Sequence, residues 1–282
     1  MINQLKTMVL LAALTGVLMW IGSFWGTGGL VIGLIFALVM NFGSYFFSDK
    51  IVLYMYKAKP ATEKEAPKLY KIVKEGTGNA GMPMPKVYII PTPNPNAFAT
   101  GRNPKHSAVA ATEGIMELLS EAELKGVIAH EIAHIKNRDI LIQTIAATIA
   151  GVISYVATMA QWGAMFGGFG RDDRDNGSSF ISLIVLAVLA PIIALILQMA
   201  ISRSREYMAD ETGAKLIHNS QPLASALEKL ERGNKYSPLD FGNQATSSLF
   251  IVNPFRASTL MSLFSTHPST DKRIKRLKEM RL

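Results

Sequence analysis

The distribution of apolar and polar residues divides the chain into four long uncharged runs and two polar blocks. No charged residue occurs from Met8 to Trp25, and after the break Gly26-Thr27-Gly28-Gly29 a second uncharged run extends from Leu30 to Phe47. Two more follow, Ile140 to about Phe166 and Ser179 to about Ile201. As helices rising about 1.5 Å per residue, each is long enough to cross a hydrocarbon core of roughly 30 Å. Pro191 falls inside the last run, where a spanning helix tolerates it if its neighbours satisfy the freed carbonyl. The pattern predicts four transmembrane helices in two hairpins, residues 1–47 and 140–201. The blocks 48–139 and 202–282 are then two parts of one split globular domain. The first run has only Lys6 as a basic leader and no clear small-x-small cleavage site, so it reads as a retained span rather than a removed signal.

Inside the polar blocks the periodicity changes. Leu69, Ile72 and Val73 lie at helical spacing within Ala66 to Ala80, and the segment ends in a glycine-rich stop. "KVYII" reads as a strand and "PTPNPN" as a turn-rich connector, while "AFATG" and "HSAVAATEG" fit short strands that form an edge pair beside the site. Ser120 and Glu123 form a capping box that starts the next helix. The terminal "DKRIKRLKEMRL" predicts an amphipathic helix with Ile274 and Leu277 on one side and a solvated basic face near anionic headgroups.

Composition agrees with a lipid environment: 49% of the residues are hydrophobic. The net charge of +8 comes from Lys and Arg concentrated in the two polar blocks. The Gly26 turn has none, and the loop "GGFGRDDRDNGSS" sets Arg171 and Arg174 against three aspartates. Basic blocks stay on the cytoplasmic side, so both parts of the domain are expected there. That bias accounts for the charge, and no basic stripe with interleaved aromatics marks nucleic acid as a partner. The absence of cysteine excludes disulfides and thiolate ligands, so any metal must be held by His and carboxylates.

The capped helix carries the candidate chemistry, "KGVIAHEIAHIKNRDI". His130 and His134 at i, i+4 share one helical face, where two imidazoles can grip one ion, and Glu131 is placed to act as a general base on a water beside it. The third ligand must come from another element. "ISRSREYMADETGAKLI" offers Glu206, with Asp210 four residues later on the same face. An antiparallel pair of spans returns its two ends to one surface, which delivers Glu206 to His134. Asp210 can then accept a hydrogen bond from a ligand imidazole. His106 and His218 read as surface residues.

Together, "HEIAH", "SRSREYMAD", "NAFATG" and "THPSTDKRI" resemble the membrane-bound M48 zinc metallopeptidases over essentially the whole chain. The resemblance implies an α+β membrane protein: four transmembrane helices with a mainly helical gluzincin-type zinc metallopeptidase domain carrying a small edge β-sheet. It implies one zinc ion on His130, His134 and Glu206, Glu131 as base, and hydrolysis of peptide bonds in misfolded or damaged membrane proteins at the cytoplasmic face of the bacterial inner membrane, in quality control and stress response. The chain itself is a further candidate substrate. His267 lies in the His-Pro pair of the family pattern and is the candidate for oxyanion stabilisation or for a resting fourth ligand; Arg273 and Tyr207 are weaker candidates for oxyanion or site support. Asn96, Ala97, Phe98 and Ala99 correspond to the family's substrate-aligning strand, with Asn96 as a backbone clamp or simply a turn residue. Two other readings stay open. An intramembrane protease would need the motif inside a span, whereas Lys136, Asn137, Arg138 and Asp139 follow it directly. A non-enzymatic zinc scaffold would leave Glu131 without a purpose.

Overall fold

A computed structural model describes residues 26–141, 203–236, 238–239, 249–252 and 269–282, with isolated positions between 12 and 23. The first uncharged run falls mostly outside these residues, and the third and fourth almost wholly so. Among the described residues one helix is long and apolar enough to cross a membrane, α1 (Gly26–Met55), through its stretch Gly26–Gly43. Ile32, Ile35, Leu38, Val39 and Phe42 are all exposed on it. Polar residues are scarce on every side of that stretch, as in a lipid-facing helix. Its last turn changes role: Val52 and Leu53, with Tyr56 just beyond, pack into the domain.

The domain is mainly helical, with one small sheet. Strand β1 (Lys59–Pro60) is followed by α2 (Pro67–Ala80), which starts with Pro67 in its first turn and stops at Gly81 in the left-handed conformation, φ 66°. Strands β2 (Lys86–Ile90), β3 (Ala97–Asn103) and β4 (His106–Thr112) complete the sheet in the order β1-β2-β4-β3. β2 and β4 run parallel; the other two pairings are antiparallel. The tight β3–β4 hairpin leaves β3 on the edge.

Alternation along the strands sorts side chains into two cores. Val87, Ala97, Ala99, Val109 and Ala111 face the helices, whereas Tyr88, Ile90, Phe98, Ala108 and Ala110 face the end of α1 and Phe250. Tyr56, Phe98 and Phe250 stack there as a tilted or edge-on aromatic trio, with centroids 4.8 to 5.8 Å apart. Both faces of the sheet are therefore covered.

The remaining helices are α3 (Glu113–Leu118), α4 (Glu121–Lys136), α5 (Arg203–Leu216), α6 (Gln221–Tyr236) and α7 (Thr270–Glu279). α4 is the central one. Its capping box forms: Ser120 Oγ accepts from the Glu123 amide and the Glu123 carboxylate accepts from the Ser120 amide. From Leu124 to Ile135 every residue but Lys125 is buried. α5 presses close against it at Gly213, where a Cβ would stand 2.9 Å from the His130 backbone nitrogen. Glycine is what lets the two backbones meet at the first histidine.

Candidate metal centre

Close approach of α4 and α5 brings three buried donors to one point. His130 Nε2 lies 3.2 Å from His134 Nε2 and 3.6 Å from Glu206 Oε2, and His134 Nε2 lies 3.4 Å from Glu206 Oε1. A four-coordinate ion held at roughly 2.0–2.1 Å separates neighbouring donors by about 3.4 Å, so the spacing of the two imidazoles suits one ion, with either Glu206 oxygen at hand as a third donor. His130, His134, Glu206 and Glu131 are each at most 4% exposed.

The outer nitrogens of both imidazoles are engaged by carboxylates. His130 Nδ1 is 2.9 Å from Asp210 Oδ1, and His134 Nδ1 is 3.4 Å from Asp139 Oδ2. A proton on each Nδ1 leaves both Nε2 lone pairs aimed at the same point, the tautomer a metal requires. Burial lowers the His130 pKa to about 4, keeping that imidazole neutral. At His134 burial acts in the same direction, but Glu206 and Asp139 outweigh it and lift the value to about 9. The anionic surroundings that hold a proton there equally favour a cation. The donor set of two imidazoles and a carboxylate thus fits a divalent ion.

Behind Asp210 stands Arg273 on α7, 2% exposed. Its Nε donates to Asp210 Oδ2 at 2.9 Å, its Nη2 to Oδ1 at 2.7 Å and its Nη1 to the Ile251 carbonyl at 3.0 Å. Burial works to raise the Asp210 carboxyl, but Arg273 and the bond from His130 hold it down at about 2. Glu131 goes the other way. Burial is its largest influence and pushes it up to about 8, against the backbone N–H of Ala99, which donates to the carboxylate.

The structure thus brings together His130, His134, Glu206, Glu131, Asp210 and Arg273. Tyr207 is turned aside, its ring lying 4.9 Å beneath the Arg276 guanidinium. His267 lies outside the described residues. Asn96 is buried, donating Nδ2 to the Val252 carbonyl at 2.7 Å, and Ala97 accepts from the Ile251 amide at 3.4 Å. Phe98 points into the aromatic core, and Ala99 meets Glu131. His106 and His218 are exposed, the latter at the end of α5 with φ 52°.

Asp139 is the residue that sequence reasoning missed. It appeared only as one of the polar residues after the motif, yet it is 1% exposed. A turn at the end of α4 carries it back: the Asp139 amide bonds to the His134 carbonyl at 2.9 Å and the Arg138 amide to the Ile135 carbonyl at 3.1 Å. Arg138 stands in the left-handed position of this turn, φ 59°, where glycine is usual. A carboxylate five residues beyond the second histidine of the motif, just before an apolar run, was the available signal.

Residues 63–281 match the profile of Peptidase family M48. The chain is 54% identical over 281 residues to a "Protease HtpX homolog" of Syntrophobacter fumaroxidans, covering 99% of each chain. It is 58% identical over 279 residues to the protein of that name from Thermodesulfovibrio yellowstonii, covering 99% of this chain and 98% of the other. The like-named protein of Pyrococcus furiosus is 53% identical over 276 residues, with 98% and 95% covered. The fold is similar to the crystal structure of S. mikatae Ste24p, with TM-score 0.53 and 19% identity over 98% of this chain and 65% of that one.

Proposed function

Because the chain belongs to peptidase family M48 and is a membrane metalloprotease, we propose that it holds one zinc ion between His130, His134 and Glu206 and hydrolyses unfolded segments of membrane proteins at the cytoplasmic face. The observation that carries this reading is the convergence of three buried donors, His130, His134 and Glu206, within ligand spacing of one another, with Glu131 beside His130 on the same helix.

Zinc when bound supplies Lewis acidity, making a water more acidic and a peptide carbonyl more electrophilic. The residues do the rest. Glu131, whose carboxylate burial makes more basic than an exposed one, takes the proton of the attacking water and returns it to the leaving amine nitrogen. The Ala99 backbone of the edge strand lies beside the Glu131 carboxylate. Asp210 and Asp139 keep the ligand imidazoles in the metal-binding tautomer, and Arg273 supports Asp210. We assign His267 to the oxyanion or to a resting fourth ligand.

A protease of unfolded segments reads backbone more than side chain, and an edge strand offers backbone. β3 is such an edge. Residues Ile251 and Val252 of the chain itself already engage Asn96 and Ala97, so substrate pairing on this edge would lie beyond those two residues. Four spans in two hairpins, with both polar blocks cytoplasmic, complete the proposal. Its test is metal-dependent proteolysis: full-length protein in detergent should cleave unfolded casein, lose activity on chelation and regain it with equimolar zinc. Cleavage that survives complete metal removal would contradict it.

A further inference from the structure

One charged surface has no part in the chemistry above. The β3–β4 hairpin projects Arg102 and Lys105 at its tip, and the tip is set against α1. The Arg102 guanidinium lies 5.2 Å over the ring of Phe46, and Lys50 lies 5.4 Å over Phe47. Phe46 and Phe47 close the uncharged run of α1, and Asp49 and Lys50 are the first charged residues after it. At this end of the run Phe42, Tyr45, Phe46 and Phe47 are all exposed. Aromatic residues gather in this way at the level of lipid headgroups.

Charge points to the same occupant. Lys105 is exposed and Arg102 half-buried, and among the described residues no carboxylate forms an ion pair with Arg102, Lys105 or Lys50. A cation stacked on an aromatic ring at the edge of an apolar helix keeps its hydrogen-bond donors outward, toward phosphate. The geometry points to the β3–β4 hairpin as a membrane-surface contact in which Arg102 and Lys105 engage anionic lipid headgroups; this rests on α1 being a span.

A consequence for the proposed substrate follows. Only three residues, about 10 Å of strand, separate Arg102 from Ala99, whose N–H meets Glu131. Headgroup contact at the tip would therefore hold the catalytic centre close to the bilayer, within reach of a segment just emerging from it.

The chain has no cysteine, so His106→Cys gives a single labelling position beside the tip. The labelled full-length protein is placed in nanodiscs of phosphatidylcholine, with or without phosphatidylglycerol, containing lipids with a quencher on the headgroup. Quenching should be strong with phosphatidylglycerol, fall with salt, and be lost in Arg102→Glu/Lys105→Glu, while the variant binds the same one equivalent of zinc and unfolds at the same midpoint in detergent. Quenching that is absent in both lipids, or unchanged by the double charge reversal, would overturn the contact. Failure of every protein to cleave casein would count against the protease reading instead, and the quenching result would still decide the lipid contact.

Discussion

Replacing Arg273 with methionine tests how the second histidine-carboxylate layer supports the metal. The side chain is among the largest fully buried ones and makes two bonds to Asp210 and one to the Ile251 carbonyl. Methionine fills similar volume, so the loss is electrostatic. Removing one partner of a buried ion pair costs about 3–5 kcal/mol. Here the loss falls at the low end, about 3 kcal/mol, because the His130 Nδ1 remains 2.9 Å from Asp210 Oδ1. An Asp210 free to turn no longer fixes the His130 imidazole, which weakens metal binding about 10- to 100-fold. Zinc affinity by chelator competition and unfolding midpoints in detergent measure the two effects. Combined with Asp210→Asn, the change should be strongly non-additive, since both act on one contact. Unchanged affinity and unfolding with a lower kcat would refute this account and make Arg273 an oxyanion donor.

Three further outcomes follow from the same geometry. Asp139→Asn should weaken zinc about 10- to 100-fold with the fold retained, because the amide carries no charge and can donate to His134 Nδ1, which no longer forces the proton onto that nitrogen; competition against a chelator reads it. Gly213→Ala places a Cβ 2.9 Å from the His130 backbone nitrogen, so α5 must move off α4, costing about 1–3 kcal/mol and lowering zinc occupancy in the same preparation. At Glu123 burial raises the carboxyl, but Lys229, Ser225 and Ser120 outweigh it and hold it at about 2, below its ordinary 4.5. A depressed value stabilises the fold above the unfolded-state pKa, and that contribution is lost as pH falls from about 4.5 toward 2. Glu123→Gln should therefore flatten the acid limb of a stability-versus-pH curve; an unaltered limb would exclude the contribution.

The elements whose signals are local were readable in the sequence. The capping box, the strand Lys86–Ile90 and the helix opening at Pro67 carry their causes within a few residues. The three donors were readable for a different reason: i, i+4 spacing fixes one pair, and Glu206 sits on α5, which packs against that helix; the hairpin expected to deliver it lies outside the described residues. What the sequence hid was contact between distant segments. The residue pattern set Arg273 in a solvated basic helix and the family resemblance made it only a weaker candidate for site support, yet the face that buries Leu277 also buries Arg273, against a carboxylate 63 positions away. Asn96 looked available for a substrate, but its amide is taken by Val252, 156 positions on. Asp139 depended on a left-handed Arg138, which no local preference announces.

The central claim is that Glu131 does chemistry on a metal held by other residues. Glu131→Gln and wild type should bind the same one equivalent of zinc, while casein cleavage by the variant falls about 10²- to 10⁴-fold, the contribution of a general base. Equal cleavage by the two proteins would contradict the assignment. Loss of zinc together with cleavage would make Glu131 part of the metal's support rather than the base.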